Sequence, residues 1–598
     1  MSKEDQLHAM RHTAAHVLAA AAQRLHPEAK FGVGPVVEAG FYYDILFPEP
    51  ITEDDLKALE KAMKAIIKEK HEMVREELSI EEGIEKFKGM KQDFKVELLE
   101  TLQSKGTTKI NLEEAQDVDP DATTASIYKT GEFVDLCRGP HLENVKEIGA
   151  FKLWKLAGAY WRGDDKNPQM QRVYGLCFAT KDELNAHITM LEEAKKRDHR
   201  KLGKALDLFT FSDLVGSGLP LFTPRGTVMR EQLAEFVWRL MKPYGYSRVR
   251  IPHMAKSDLY KTSGHWDKFA DDIFHISSQK TEQAFVMKPM NCPHHTQIYT
   301  SQMRSYRDLP IRLSEVTAVY RDENTGQLQG LSRVRSITQD DAHVFCRMDQ
   351  VKEESLAIYE IIKKFYAAFN MDLRISLSVN DPEEPEKYLG GAKVWKDAVG
   401  TLEGLLKEIG KEYEVAVGDA AFYGPKIDFI ATDAIGREWQ LATIQLDFNL
   451  PERFELEYVD ESGEKVRPVM IHRAISGSLE RFMAVMIEHY AGAFPMWLAP
   501  EQVRVVTVSD VHAEFAGDFV RSLEEADVRA ELDASNEKIG KKIRNAAMMK
   551  VPWTIVIGDK ELEGGDLQVK VFGQEEGVTV PQSKFLERIQ KESAMPLS

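Results

Sequence analysis

The chain has 598 residues, with 78 Lys and Arg against 96 Asp and Glu, and a formal net charge of −18. Such a length predicts roughly three to five domains, and an apolar fraction of 43% is enough to fill several cores. A surface this acidic excludes nucleic-acid binding spread over the whole molecule but leaves room for one local basic face.

No run of about 18 apolar residues occurs, so no transmembrane helix and no membrane partner are expected. The charged start Met1-Ser2-Lys3-Glu4-Asp5 is unlike a secretory signal. Four cysteines, Cys137, Cys177, Cys292 and Cys346, are too few for a disulfide scaffold. A reducing, cytoplasmic setting is expected, in which any special cysteine is a metal ligand or a reactive group.

In chain order, Leu7 to Leu25 is alanine-rich and predicts a helix; on it His8, His12 and His16 share one face at i, i+4 spacing. Val33 to Phe47, punctuated by Gly34-Pro35 and Gly40, predicts short strands and turns. Asp54 to Glu76 has helical periodicity, and strand-like pieces follow up to Val134-Asp135-Leu136-Cys137. Leu184 to Arg200 reads as one long charged helix, and Gly216-Ser217-Gly218 as a boundary loop. From Leu221 to about Pro495, strands and helices alternate irregularly and are joined by turns, which predicts α+β with a largely antiparallel sheet. After Pro500 the order strand (Val503 to Val508), helix, strand (Val528 to Leu532), helix, strand (Thr554 to Ile557) predicts a compact α/β domain.

Cys292, His343 and His472 stand out as donors, but no pair has zinc-finger spacing. Taken alone, such a histidine is more often a core residue bonded to a backbone carbonyl than a metal ligand. Their surroundings carry more. Met287-Lys288-Pro289-Met290-Asn291-Cys292-Pro293, Thr338-Gln339-Asp340-Asp341-Ala342-His343, Phe422-Tyr423-Gly424-Pro425-Lys426-Ile427-Asp428, Gln445-Leu446-Asp447-Phe448 and Arg467-Pro468-Val469-Met470-Ile471-His472-Arg473 together resemble the threonyl-tRNA synthetase family. The resemblance runs from about Arg11 to about Gly577.

It implies an α+β multidomain chain. An α+β editing domain would span 1–182 and a linker helix 183–205. A class II catalytic core on an antiparallel sheet would span 206–497, and an α/β anticodon-binding domain 498–598. Most bacterial relatives carry a ubiquitin-like domain ahead of the editing domain; the expectation here is a form without it. The implied reaction is ATP-dependent threonylation of tRNA(Thr) by a homodimer, paired through the segment around Tyr246 to Pro252.

The resemblance implies that Cys292, His343 and His472 hold one zinc ion, and that Met290, Gln339, Asp341, Tyr423 and Gln445 contact L-threonine. The chemistry fits the task. An apolar pocket separates isosteres such as threonine and valine by only about a hundredfold. A zinc with three protein ligands has an open position, and only threonine brings a hydroxyl as well as an amine to it.

Tyr320-Arg321-Asp322-Glu323 and Gly477-Ser478-Leu479-Glu480-Arg481 resemble the second and third class II signatures. A lone Arg-x-Glu is weak, since a surface ion pair explains most such strings; the ordered pair is specific. The implied ATP residues are Arg321, Glu323, Arg333, Gln440, Thr443 and Arg481, with Arg321 and Arg481 catalytic and Mg²⁺ accompanying ATP. Planar guanidinium groups suit the charge that develops on phosphate oxygens. The chain departs from the family at Ile337, where an aromatic residue is usual, at Leu441-Ala442, where Cys-Gly is usual, and at His294, where Gly is usual. Ile337 forgoes a ring stack worth about 0.5–1.5 kcal/mol, so weaker ATP binding is expected.

The pairs His12/His16 and Cys137/His141 have the i, i+4 spacing of a zinc hydrolase set, or are simply a histidine-rich helix face beside a loop. The segment resembles the editing domain shared by threonyl- and alanyl-tRNA synthetases, which implies a metal-free hydrolytic site of His12, His16, Cys137 and His141 with Lys95 and Asp135. Serine lacks only a methyl of threonine, about 1–3 kcal/mol of discrimination, so a second, hydrolytic sieve is the remedy.

Near the end, Glu561 and Lys570 are the implied anticodon contacts, and Lys538, Lys541 and Lys542 a phosphate-facing cluster. Two rival readings remain: a zinc hydrolase built on the His12 set, which would need neither ATP nor Arg321, and a degenerate binding paralogue, against which the intact signatures argue.

Overall fold

The computed structural model describes residues 3–107, 123–164 and 166–597. They form two compact units, Met1–Glu192 and Glu193–Ser598. Among the described residues no helix is long and apolar enough to cross a membrane.

In the first unit the helix Lys3–Leu25 is buried along much of its length, because alanines at 9, 14, 15, 19, 21 and 22 let neighbours approach its backbone closely. It packs on Gly40–Leu46, which pairs antiparallel with Gln169–Phe178, itself paired with Ala150–Tyr160. A second sheet joins Met73–Ser79, Thr124–Thr130 and Phe133–Leu136.

Three local expectations need correction. The periodic stretch expected to be helical to Glu76 ends at Glu69, where Lys70 turns left-handed (φ 58°), and Met73–Ser79 is a strand. Helices Ile80–Gly89 and Asp93–Lys105 lie where strand-like pieces were expected; Ser79 and Glu82 form a capping box that starts the first. The long charged helix is two, Lys181–Arg197 and His199–Ala205, because the Asp198 side chain caps the second by accepting from Arg200 N–H at 2.9 Å.

In the second unit an eight-stranded sheet runs in the order Ser247–Arg248, Ile311–Tyr320, Ser336–Cys346, Val469–Ser478, Glu438–Asp447, Lys426–Thr432, Leu373–Val379, Tyr413–Val417. All neighbours are antiparallel except the two outermost pairs, which are parallel. The core beside it is aromatic: Phe236, Phe365, Phe369, Phe482 and Trp497 interlock with ring centroids 4.9–6.1 Å apart. This packing holds helix Leu479–His489 against the sheet.

The C-terminal part is the expected strand–helix–strand–helix–strand order with Ala530–Asp533, Val503–Thr507 and Trp553–Ile557 parallel. Two antiparallel strands, Leu567–Val571 and Val578–Val580, extend it and were not foreseen.

Candidate functional site

The three donors meet at the middle of the eight-stranded sheet. His343 and His472 sit opposite each other on adjacent strands, and Cys292 opens the helix Cys292–Thr300. Their ligand atoms lie within 4.8 Å of one another and all three residues are buried. His343 Nδ1 is 2.7 Å from His295 Nδ1, and His472 Nε2 is 2.9 Å from Asp447 Oδ2. Asp447 is itself fixed by the backbone N–H groups of Asn449 and Leu450 on its other oxygen, at 2.7 and 2.9 Å.

The remaining ring nitrogens, Nε2 of His343, which lies 3.6 Å from Asp341 Oδ1, and Nδ1 of His472, are the ones a ligand would take. Burial raises the Cys292 thiol pKa, with Asp341 and Asp447 adding to it. One sulfur, two imidazoles and two nearby carboxylates are a donor set and a charge environment that fit a dication of the zinc type.

Of the expected threonine contacts, Asp341, Tyr423 and Gln445 stand beside this cluster, and Gln339 lines the neighbouring cleft. Strand Ser336–Cys346 bulges between Gln339 and Asp341 where it pairs with Val469–Ser478, and such bulges re-aim side chains beside active sites. Asp341 accepts from Asn291 Nδ2 at 3.0 Å, and burial raises its pKa to about 6. Tyr423 is buried with its ring 5.0 Å from that of His472, and Gln445 Nε2 donates to Gly424 O at 3.3 Å. Met290 Sδ is 3.6 Å from Arg321 Nη2, so it adjoins the second subsite.

That subsite is a cleft of about 560 Å³ whose lining includes Arg321, Glu323, Arg333, Gln440, Thr443 and Arg481, the whole expected ATP set. Arg321 follows strand Ile311–Tyr320 directly; its Nε is buried without a protein partner, as is Thr443 Oγ1. Burial lowers the Arg321 pKa, Asp272 and Glu323 opposing. Arg481 lies in the first turn of Leu479–His489, where Ser478 Oγ accepts its N–H at 3.2 Å. The turn into this helix needs glycine: Gly477 has φ 71°, and a Cβ there would come within 2.5 Å of Leu441 O. Arg333 pairs with Glu323 at 2.7 Å. Three guanidinium groups converging on one cleft suit a polyphosphate.

In the first unit His12, His16, Cys137 and His141 also come within 4.8 Å. Cys137 Sγ is 3.3 Å from both His12 Nε2 and His141 Nε2. His12 Nδ1 is 3.2 Å from Pro140 O, and His141 Nδ1 is 3.3 Å from Thr13 Oγ1. Behind them Asp135 pairs with Lys95 at 2.5 Å and lies 3.6 Å from His16 Nε2. Burial lowers the pKa of all three imidazoles and pushes the Cys137 thiol up to about 12. At neutral pH the cluster is therefore a set of neutral acceptors and a thiol, not a thiolate nucleophile.

Two of the C-terminal residues, Glu561 and Lys542, are less exposed than their sequence suggested. Glu561 is largely buried, and one oxygen accepts from Gly558 N–H at 3.0 Å. Lys570 projects from Leu567–Val571 and is exposed. Lys542 is no phosphate-facing cation: it is 2% exposed and donates to Thr507 O at 3.0 Å. Lys541 is tied to Glu537 at 2.6 Å.

Residues 274–490 match the family described as tRNA synthetase class II core domain (G, H, P, S and T), residues 502–592 the anticodon binding domain, and residues 125–174 the threonyl and alanyl tRNA synthetase second additional domain. A threonine–tRNA ligase of Gloeobacter violaceus is 47% identical, over 99% of this chain and 93% of that protein. The chain belongs to the threonine–tRNA ligase family. A Synechocystis member is 45% identical over 98% of this chain and 96% of that protein. A crystal structure titled as the RNA binding domain of threonyl-tRNA synthetase from Cryptosporidium parvum aligns at TM-score 0.63 and 34% identity, covering 66% of this chain and 98% of that one.

Three residues beside these family sites escaped the sequence reading. Tyr43 is fully buried, its hydroxyl bonded to Asp135 and 3.0 Å from Lys95 Nζ. His265 is buried with Nε2 3.8 Å from Cys292 Sγ. His295 backs His343. A donor adjoining the Asn-Cys-Pro string was the available signal for His295; the other two had none. Of the departures, Ile337 and Leu441 both line the cleft, and His294 is buried beside the donor cluster with neither ring nitrogen bonded.

Proposed function

We propose that this chain activates threonine with ATP to threonyl-adenylate, transfers the threonyl group to tRNA(Thr), and hydrolyses seryl-tRNA(Thr) in its first unit. The observation that carries it is a buried Cys-His-His cluster and an arginine-lined cleft built on one sheet, with Met290, two residues before Cys292, 3.6 Å from Arg321 of the cleft.

In the first step a threonine carboxylate oxygen attacks the α-phosphorus and pyrophosphate leaves. Arg321 holds the α-phosphate, where charge grows, and Arg333 and Arg481 hold the outer phosphates with Mg²⁺. Glu323 takes the adenine amino group, and Gln440 and Thr443 complete the cleft. Cys292, His343 and His472 would hold zinc, which when bound supplies a position for threonine's amine and hydroxyl together. Asp341 and Gln339 orient the amine, and Tyr423 and Gln445 close the pocket. In the second step a ribose hydroxyl of the tRNA attacks the carbonyl carbon and AMP leaves.

In the first unit the neutral imidazoles of His12, His16 and His141 accept from a water that attacks the seryl ester, and the tRNA hydroxyl leaves with a proton. The Lys95–Asp135 pair, with Tyr43, holds His16 in place. Glu561 and Lys570 read the anticodon. Strand Ser247–Arg248, at the edge of the sheet and exposed, supports a homodimer through 246–252. A cytoplasmic setting fits this reaction.

Threonine-dependent ATP–pyrophosphate exchange tests the reading. Exchange is expected with threonine, far less with valine, and none in Arg321→Ala; absence of exchange in the wild type overturns it. Sedimentation at micromolar concentration should show a dimer, and a monomer contradicts the pairing.

A further inference from the structure

His199, outside every site described above, reaches the loop that carries Arg333. It is the first residue of the short helix His199–Ala205 and only 4% exposed. Its ring is satisfied on both sides. Nδ1 lies 2.6 Å from Glu488 Oε1, and Nε2 accepts from the backbone N–H of Leu331 at 3.1 Å. A backbone N–H can only donate, so Nε2 must offer its lone pair and the ring proton sits on Nδ1, facing the carboxylate. Glu488 is anchored in turn: Oε1 also accepts from His199 N–H at 3.0 Å, and Oε2 pairs with Arg437 Nη1 at 2.6 Å.

Each partner leads to the ATP cleft. Leu331 is the buried apex of a tight turn in which Gln329 and Arg333 exchange backbone hydrogen bonds at 3.1 and 3.3 Å. Arg333 leaves that turn into the cleft. Glu488 sits in the last turn of the helix whose first turn carries Arg481. Arg437 lies two residues before Trp439, which lines the same cleft. The turn is shaped to the imidazole: Gly330 has φ 51°, and a Cβ there would lie 2.3 Å from His199 Nε2. Without the ring, Leu331 N–H would be a buried donor with no acceptor, and of the side-chain bonds to the turn's backbone only that of Ser332 Oγ to Gln329 O, made within the turn itself, would remain.

We propose that His199 is a positioning residue for ATP: by accepting from Leu331 it fixes the 329–333 turn, and so sets where Arg333 meets the outer phosphates. The proposal rests on the reading of Arg333 as a phosphate ligand. It concerns ATP alone, since none of the threonine contacts lies on this turn.

Two substitutions separate the two ring nitrogens. In His199→Asn the side-chain amide stands near the place of Nδ1, keeps a donor to Glu488 and falls short of Leu331. In His199→Gln the amide reaches the place of Nε2 and restores an acceptor for Leu331. In ATP–pyrophosphate exchange, His199→Asn should raise KM for ATP about fivefold, the scale of one hydrogen bond, with KM for threonine and kcat near wild type. His199→Gln should recover most of the loss. A mere packing role would not be rescued by glutamine and would not single out ATP.

Gly330→Ala sets a methyl against His199 Nε2, forces ring and turn apart, and should raise KM for ATP as well; it carries the test if His199→Asn does not fold. An unchanged KM for ATP in either folded variant, or a glutamine variant no better than asparagine, overturns the proposal. Arg333→Ala is assayed in parallel. If it leaves KM for ATP unchanged, the reading of Arg333 fails; if it raises KM and His199→Asn does not, only the present inference fails.

Discussion

The chain carries two Cys/His clusters, each with ligand atoms within 4.8 Å, yet their surroundings differ. Around Cys292, His343 and His472 stand the carboxylates Asp341 and Asp447, neither paired with a lysine, with Arg473 also bearing on His343; His343 is held through Nδ1 by His295 with Nε2 3.6 Å from Asp341, and His472 is held through Nε2 by Asp447. Around His12, His16, Cys137 and His141 the nearest carboxylate, Asp135, already pairs with Lys95, whose charge also bears on His16. There His12 and His141 are each tied back through Nδ1 and turn Nε2 toward Cys137, whose single S–H can donate to only one of them, and His16 Nδ1 has no hydrogen bond within the protein. A dication gains from the first field and little from the second. Donor types and spacing are similar in both; on the proposed reading, the charge behind the donors is what separates a zinc site from a hydrolytic one.

The largest effect should follow Cys292→Ser. Zinc and threonine activation should fall by more than the roughly hundredfold that losing a residue behind a ligand costs, while deacylation of seryl-tRNA is untouched. Normal activation would remove the first half of the comparison. His12→Ala with His16→Ala should slow deacylation of preformed seryl-tRNA by about a hundredfold or more, the scale of a positioned acid–base group, and leave threonine charging near wild type. Seryl-tRNA should then accumulate and valyl-tRNA should not. Wild-type deacylation in that double variant would sink the assignment of these histidines alone. His295→Ala and Asp447→Asn remove the partners behind the ligands and should each weaken zinc affinity about tenfold to a hundredfold, measured by chelator competition. Smallest is Ile337→Phe: a ring offered to adenine should lower KM for ATP by up to about tenfold, and an unchanged KM would show that Ile337 does not face the base.

Much of this was legible in the sequence because it lies in long ordered strings. The six residues expected for ATP and the three expected donors come from separate strings, and the fold gathers the six into one cleft and the three into one cluster. Tyr43 was illegible: it looks like any strand aromatic until Asp135 and Lys95, distant in sequence, are seen against its hydroxyl. Lys542 misled for the converse reason, since a lysine in a basic run reads as exposed and only the fold shows its ammonium on Thr507. Asp198 broke the predicted linker helix because a cap acts through local hydrogen bonds that hydrophobic periodicity does not register. His199 lies beside that break, and its meaning depends on a turn more than a hundred positions away, at Leu331.

Zinc per chain, measured on the purified wild type, on Cys292→Ser and on the His12→Ala, His16→Ala double variant, tests the contrast between the clusters most directly. One zinc in the wild type, none in Cys292→Ser and one in the double variant is the expected result. Two per chain in the wild type, or zinc lost from the double variant and retained by Cys292→Ser, would contradict it.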